Sequence, residues 1–210
     1  MKMKTETAKP LVRGIDTVMS LGTKECKWLV QNRFEFVVRY LYGKWAVTSD
    51  EVQRILGSGL ALMLVTPSRL PGWQPSWRLG NEDGIRSVES LHKLKMPTSE
   101  TVYIDLEGCD GPEHETSEWI DGVSLEVVRA GYEGGLYVGA NPGGMTSESL
   151  WHRPYITKYW RSGSNVPTPA NRGWSMQQLR PLDVYMGPVK VDVDVIEKDL
   201  KNEVPTWVVV

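Results

Sequence analysis

Short apolar runs alternate with segments of helical periodicity along the whole chain. Strand-like runs lie at residues 12–18, 36–41, 60–66, 101–106, 135–140, 155–160, 174–179 and 189–196. Helical periodicity is found at residues 24–32, 49–57, 81–95 and 117–130. Ser49 and Asp50 can cap the second helix. Strands that alternate with helices, without a break in composition, predict an α/β fold.

Eight predicted strands in 210 residues favour a compact (β/α)8 TIM-like barrel. Residues 161–173 have the composition of a loop, so the late helices of the barrel are predicted to be short or missing. Residues 1–10 are predicted to form a flexible N-terminal segment, and 11–210 a single barrel domain. The apolar end, 206–210, is expected to add a strand or to close the bottom of the barrel.

The fourth predicted strand separates polar from apolar side chains. Residues two apart in a strand face the same side. Tyr103, Asp105 and Glu107 therefore share one face, and the other face is wholly apolar. The last predicted strand divides in the same way, with Asp192 and Asp194 opposite four valines. Helices would cover the apolar faces, so the acidic residues are predicted to point into the barrel.

Acidic residues also stand near the carboxyl ends of strands, where barrel enzymes build their active sites. Asp105 and Glu107 end the fourth strand, and Asp16 has a similar place on the first. We therefore expect these carboxylates to gather at one mouth of the barrel. A structural alternative is that Asp105 and Glu107 cap the next helix or pair with a basic residue, the candidates being Arg13, Arg39 and Lys190.

Crowded carboxylates in a partly dry cleft cannot all ionise, so one is kept as an acid while another stays charged. Glycoside hydrolysis uses such a pair. The chain has nine Trp and eight Tyr beside two Phe, and aromatic rings with a polar group suit walls that hold sugars. Five tryptophans lie in loops or near strand ends, where they could stack on a sugar: Trp73, Trp77, Trp151, Trp160 and Trp174.

Charge and cysteine content narrow the function classes. Lys and Arg number 24 against 26 Asp and Glu, without a basic block, which argues against a nucleic-acid partner. The sequence contains no apolar run of membrane-spanning length, and its first ten residues, which have charge but no apolar run behind them, are not expected to act as a secretory leader. Cys26 and Cys109 are expected to be reduced thiols, and the three histidines lack the spacing of a zinc site. No cofactor is predicted, and the oligomeric state stays open.

Several motifs, in order along the chain, resemble a known family. They are Gly14-Ile-Asp16, Phe36-Val-Val-Arg-Tyr-Leu41, Tyr103-Ile-Asp-Leu-Glu-Gly108, Gly135-Leu-Tyr-Val-Gly139, Gly173-Trp-Ser-Met-Gln-Gln178 and Val191-Asp-Val-Asp194. This order resembles the glycoside-hydrolase-like barrels of domain of unknown function 1906, which are similar to the family 25 lysozymes that cleave peptidoglycan. The third strand lacks the Tyr-His-Phe of the lysozymes, and Asp194 stands where they usually have Asn.

The resemblance implies roles for individual residues. Glu107 matches the general acid of the lysozymes, and Asp105 the residue that orients or stabilises the substrate N-acetyl group. Asp16 and Asp192 would line the floor of the sugar subsite. Gln178 matches the glutamine of the seventh strand, with Gln177 as the alternative after a one-residue shift. The predicted substrate-binding set is completed by Arg39, Tyr103, Tyr137 and Trp174.

Three functions remain open. The first is a muramidase-like, bacteriolytic glycoside hydrolase acting on peptidoglycan or a related glycan. The second is a barrel that binds cell-wall glycan without turnover. The third is a metal-dependent phosphodiester hydrolase that uses Asp16, Asp105, Glu107 and Asp192 as oxygen ligands. A protein made without a leader would reach the cell wall or periplasm through export by other means or through lysis.

Overall fold

The computed structural model describes residues 2–210 as a single ten-stranded sheet with five helices. The strands are β1 (Lys4–Thr7), β2 (Arg13–Asp16), β3 (Phe36–Tyr40), β4 (Ala61–Val65), β5 (Thr101–Leu106), β6 (Glu133–Val138), β7 (Lys158–Arg161), β8 (Met176–Met186), β9 (Val189–Ile196) and β10 (Thr206–Val209). The helices are α1 (Thr23–Gln31), α2 (Ser49–Gly57), α3 (Trp77–Leu94), α4 (Glu113–Arg129) and α5 (Ser147–Trp151).

Strands β2 to β9 close into an eight-stranded barrel, which confirms the predicted architecture. Neighbours from β2 to β8 are parallel. The last strand of the barrel itself, β9, is antiparallel to both β8 and β2. In a regular (β/α)8 barrel it would be parallel to them. A short turn joins β8 to β9 because antiparallel neighbours need no crossover helix. No helix separates β7 from β8 either, so the predicted loss of late helices is confirmed.

Helix boundaries differ from the predicted ones where caps lie outside the apolar pattern. α3 begins at Trp77 because the Ser76 side chain accepts a hydrogen bond from the Leu79 amide, four residues before the predicted start. α4 begins at Glu113, after Pro112, and places acidic residues in its first turn, where the helix dipole favours them. Both extra turns lie on the side of the barrel that carries the candidate site.

Apolar side chains form an outer core and an inner core. Outward-facing residues such as Ile15, Leu62 and Val191 are buried against the helices. Inward-facing residues, among them Val38 and Met63, fill the barrel. Two of the predicted polar faces, those of β5 and β9, do point inward, since their apolar faces lie in the outer core.

Strands β1 and β10 extend the sheet at the amino-terminal end of the barrel. β10 pairs antiparallel with β4 through Val208 and Leu62, so the predicted extra strand is confirmed. Residues Lys4–Thr7 pair with β10, although the sequence predicts a flexible segment there. The polar side chains of this segment give no apolar alternation that would predict a strand, because the pairing depends on backbone hydrogen bonds. Met1 lies outside the described residues. None of the helices within residues 2–210 has the length and apolarity of a membrane span.

Candidate active site

The carboxyl ends of the parallel strands surround a cavity of about 200 Å³. We call it the carboxylate cavity, because four acidic side chains predicted from the sequence meet there. Its lining residues are Asp16, Tyr40, Val65, Asp105, Glu107, Tyr137, Trp160, Ser164, Gln178, Leu182, Asp183 and Asp192. The carboxylates come from β2, from the end of β5 and from β9, which are distant in sequence and adjacent in the barrel.

The reversed direction of β9 decides which of its acidic residues reaches the mouth. Asp192 pairs in register with Asp16, the last residue of β2. Asp194 pairs with Gly14 and with Gln178, one layer deeper. Because β9 runs toward the bottom of the barrel, its earlier aspartate lies in the cavity and its later one lies beneath it.

Gln178 connects two of the carboxylates. Its amide nitrogen donates to Asp16 Oδ2 at 2.8 Å and to Asp192 Oδ2 at 3.1 Å. Its amide oxygen accepts from the Tyr137 hydroxyl at 3.3 Å and from the Gly163 amide at 3.1 Å. The network fixes the amide orientation of Gln178 in the cavity, whereas Gln177 faces outward and donates to Glu197.

Burial and mutual repulsion raise the pKa values of the cavity carboxyls. Burial first, and then the charge of Asp192, raise the pKa of Asp16 to about 7, although the Gln178 hydrogen bond opposes the shift. The pKa of Asp105 is raised well above its usual range by burial and by the charges of Glu107 and Asp16. Burial and Asp192 also raise the pKa of Glu107. The cavity therefore favours protonated carboxyl groups, as a general acid requires.

Glu107 is held at the rim by its backbone. The indole of Trp73 donates to the Glu107 carbonyl oxygen at 2.8 Å. Gly139 lies against the side chain, since a Cβ at this position would come within 2.4 Å of Glu107 Cβ. The following residue, Gly108, has a positive φ of 62°, which lets the chain turn away directly after Glu107. These contacts leave the carboxyl group directed into the cavity.

A second buried carboxyl lies below the cavity. Asp194 is fully buried, and its Oδ1 accepts from the Trp160 indole at 2.9 Å. Its Oδ2 faces the neighbouring Asp16 carboxyl and has no other hydrogen-bond partner among residues 2–210. Burial, followed by the charge of Asp16, raises the pKa of Asp194 well above its usual range. A neutral Asp194 can donate its proton to the Asp16 carboxylate.

Three of the predicted substrate-binding residues lie away from the cavity. Arg39 faces outward and forms a buried ion pair with Glu51 at 2.9 Å. Tyr103 points into the barrel one layer too deep and is fully buried. Trp174 packs in the outer core and donates to Thr168. Alternation along a strand shows which side chains share a face, but not how far from the mouth of the barrel each one lies. For β3, where both faces are buried, it also does not show which face points inward.

Other cavity residues are not in the predicted set. Tyr40 follows the same inward alternation as Val38, and this periodicity could have identified it. Trp160 was expected near a strand end, where it could stack on a sugar, but it was left out of the substrate-binding set. It lies in β7, one residue before the strand ends, at 4.5 Å from the Tyr137 ring, centroid to centroid. Leu182 and Asp183 belong to the part of β8 that extends past the predicted strand, and no local signal indicated that extension.

The two alternative interpretations of the carboxylates find no support in the geometry. Among residues 2–210, neither Asp105 nor Glu107 forms an ion pair, and neither caps a helix. Within the same residues, no group of three or more His, Cys, Asp or Glu side chains is arranged to hold a metal ion. The cavity geometry therefore gives no reason to choose the metal-dependent alternative.

Comparison with protein families gives one match that covers most of the chain. The model described as "Rv2525c-like, glycoside hydrolase-like domain" matches residues 27–202. No curated protein is similar enough in sequence to count as a match.

Several solved structures share the fold at low identity. The Tat-secreted protein Rv2525c of Mycobacterium tuberculosis, in complex with L-tartrate, is 16% identical with a TM-score of 0.68, covering 90% of this chain and 96% of that chain. The catalytic domain of endolysin ply40 from Listeria monocytogenes bacteriophage P40 is 15% identical with a TM-score of 0.55, at 90% and 95% coverage.

The modular autolysin LytC of Streptococcus pneumoniae, in complex with a synthetic peptidoglycan ligand, is also similar. It is 15% identical with a TM-score of 0.60, and the match covers 88% of this chain and 46% of that one. At these identities the likeness establishes a common barrel fold.

Proposed function

The chain belongs to the Rv2525c-like, glycoside hydrolase-like domain family, and from that premise we propose that it hydrolyses a glycosidic bond in peptidoglycan or a related cell-wall glycan. The observation that carries the proposal is the convergence of four carboxyls from β2, β5 and β9 on one cavity. Two structural neighbours, the autolysin LytC with a peptidoglycan ligand and the endolysin ply40, favour a cell-wall glycan as the substrate class.

In the proposed reaction Glu107 is the general acid. Its raised pKa keeps it protonated at a higher pH than an ordinary glutamate, and its position at the rim lets it reach the leaving oxygen. Asp105 orients or stabilises the N-acetyl group of the substrate. Asp16 and Asp192, linked by Gln178, line the subsite and stabilise positive charge on the sugar when they are ionised.

The substitution Glu107→Gln tests the general acid. It keeps the shape of the side chain and removes the proton, so release of products should fall by about 10²- to 10⁴-fold. Muropeptide mass spectrometry after incubation with purified sacculi measures the products and identifies the bond. Glu89→Gln, on the exposed face of α3, is the matched control and should leave release unchanged. Full product release by the Glu107→Gln protein would contradict the assigned role.

The same assay separates hydrolysis from binding alone. A glycan-binding barrel would retain sacculi and release no reducing ends, with the wild-type protein as well as with Glu107→Gln. That result would rule out the hydrolase and favour a barrel that binds cell-wall glycan without turnover.

The pH profile gives an independent prediction. The acid must be protonated, so activity should be lost as pH rises through the raised pKa of Glu107. Removing the Asp192 charge should lower that pKa, because Asp192 is the charge that raises it. Asp192→Asn should therefore move the alkaline limb of the rate profile to lower pH. An unchanged limb would show that Glu107 does not control it.

A further inference from the structure

A second cavity, of about 260 Å³, opens beside the carboxylate cavity and has the opposite charge. It is lined by side chains of the loops after β3 and β4 and of α3, including Tyr42, Lys44, Trp45, Arg69, Asp83 and Arg86. We call it the cationic cavity. Neither the family match nor the proposed reaction gives it a role.

The cations of this cavity are held in place by aromatic rings. Arg86 lies over the ring of Tyr42, at 5.6 Å from its centroid, and Lys44 lies over the ring of Trp45 at the same distance. Each contact limits the positions that a long side chain can take. Both charged groups are consequently kept near the cavity.

Only one of the three cations is neutralised. Arg69 forms an ion pair with Asp83, in which Nη2 donates to both carboxylate oxygens at 2.6 and 2.5 Å, and Asp83 also accepts from the Trp119 indole. Among residues 2–210, neither Lys44 nor Arg86 takes part in an ion pair. The named residues of the cavity therefore carry an excess positive charge that faces solvent.

Tyr40 and the end of β4 lie between the two cavities. Tyr40 lines the carboxylate cavity and its ring lies 5.8 Å from that of Trp45 in the cationic cavity, centroid to centroid. On β4, Val65 faces the first cavity, and the next residue, Thr66, lines the second while accepting from the Asp105 amide at 2.9 Å. A glycan that runs from the carboxylate cavity across Tyr40 and Trp45 would pass the cations.

We propose that the cationic cavity is a subsite for an anionic substituent of the glycan, a carboxylate or a phosphate, bound by Lys44 and Arg86. This inference rests on the proposed function, since it adds to the same substrate a charged group beside the reacting sugar. The guanidinium and ammonium groups pair with either anion. The carboxylates of the neighbouring cavity would repel an anionic group. The anionic substituent is therefore expected in the cationic cavity, beside the sugar that binds over the carboxylates.

Isothermal titration of the full-length Glu107→Gln protein tests the subsite without cleavage of the probe. One probe pair is a peptidoglycan tetrasaccharide whose stem-peptide carboxylates are free or amidated. The other is an N-acetylglucosamine tetrasaccharide with or without a phosphate on one sugar. We expect at least one anionic probe to bind about fivefold more tightly than its neutral partner, and the preferred pair identifies the anion. The preference should decrease with added salt.

The double substitution Lys44→Gln, Arg86→Gln should abolish the preference and leave binding of the neutral probes unchanged. Lys24→Gln, Lys93→Gln removes the same charge from exposed positions on α1 and α3 outside the cavity and should keep the preference. Equal binding of both members of each pair, or a preference that survives the first double substitution, would overturn the subsite. Failure of the hydrolase proposal is seen separately, as absent products from sacculi with the wild-type protein.

Discussion

At the scale of single residues, the surroundings of Asp194, directly below the carboxylate cavity, favour the neutral form of its carboxyl group. It is fully buried beneath Asp16, accepts one hydrogen bond from Trp160 and has a pKa raised well above its usual range. A protonated carboxyl group and a carboxamide both offer one acceptor and a donor. The family 25 lysozymes, which this chain resembles, usually have Asn at that position, which fits a neutral group.

Substitution of Asp194 can distinguish the neutral from the ionised form. Asp194→Asn should keep the acceptor for Trp160 and a donor toward Asp16, and its free energy of unfolding should stay within about 1 kcal/mol of the wild type. Asp194→Ala leaves the buried indole N–H unpaired and should lose about 1–3 kcal/mol. Urea denaturation measures both values. An Asn variant as unstable as the Ala variant would mean that Asp194 is ionised.

At the scale of elements, α3 and α4 approach each other through glycines. A Cβ on Gly80 would come within 2.3 Å of the Trp119 carbonyl oxygen, and one on Gly122 within 3.0 Å of Asn81 N and Trp77 O. Close contact brings the Trp119 indole to Asp83, which in turn holds Arg69 at the cationic cavity. Glycine is thus required for the space between the helices, although it weakens a helix by about 1 kcal/mol relative to alanine.

We therefore expect Gly80→Ala to destabilise the protein in spite of the better helix propensity of alanine. The added methyl group meets backbone atoms, which cannot rotate away, and the net loss should be about 1–3 kcal/mol. Thermal unfolding compared with Glu89→Ala, an exposed site on the same helix, measures it. A melting temperature that rises in the Gly80→Ala protein would show that the helices can separate at no cost.

At the scale of the whole molecule, the barrel is closed at one end and open at the other. β10 inserts Trp207 into the bottom, where it is 4% exposed and its ring lies 6.0 Å from that of Phe36, centroid to centroid. Above it the interior is filled mostly by apolar side chains, with the carboxyl group of Asp194 directly beneath the carboxylate cavity. The bottom therefore stabilises the barrel without touching the candidate site.

Trp207→Ala should remove a large part of this stabilisation, about 3–5 kcal/mol, the usual loss for a buried tryptophan. Val210→Ala changes the partly exposed residue after β10 and serves as the control, with little loss expected. Chemical denaturation monitored by far-UV circular dichroism gives both values. A loss below about 1 kcal/mol in Trp207→Ala would show that β10 is dispensable for the closed barrel.

The sequence allowed the barrel and much of its mouth to be predicted, because alternation along a strand is a local property. It grouped Asp105 with Glu107 and put Asp192 on a polar face, and the structure brings these residues to one cavity. Register and strand direction are set by distant partners, so the antiparallel β9 was not apparent. The same limit explains why Tyr103 was expected in the cavity and lies one layer below it.

Arg39 illustrates a different limit. A charged residue in a strand suggests an open rim, yet Arg39 points outward, where Glu51 of α2 compensates its charge inside the core. The partner comes from a helix whose packing angle is a tertiary property. Trp174 was likewise expected in the site, as part of the seventh-strand motif near a strand end, whereas its indole is buried with Tyr159 in the outer core.

The antiparallel pairing of β1 with β10 sets Lys4 beside Val209, so β1 begins where β10 ends, at the end of the barrel remote from the carboxylate cavity. A biotin or a surface linker attached near either one would leave the mouth pointing outward. Under the proposed function, protein immobilised at either point should capture insoluble cell-wall polymer equally well.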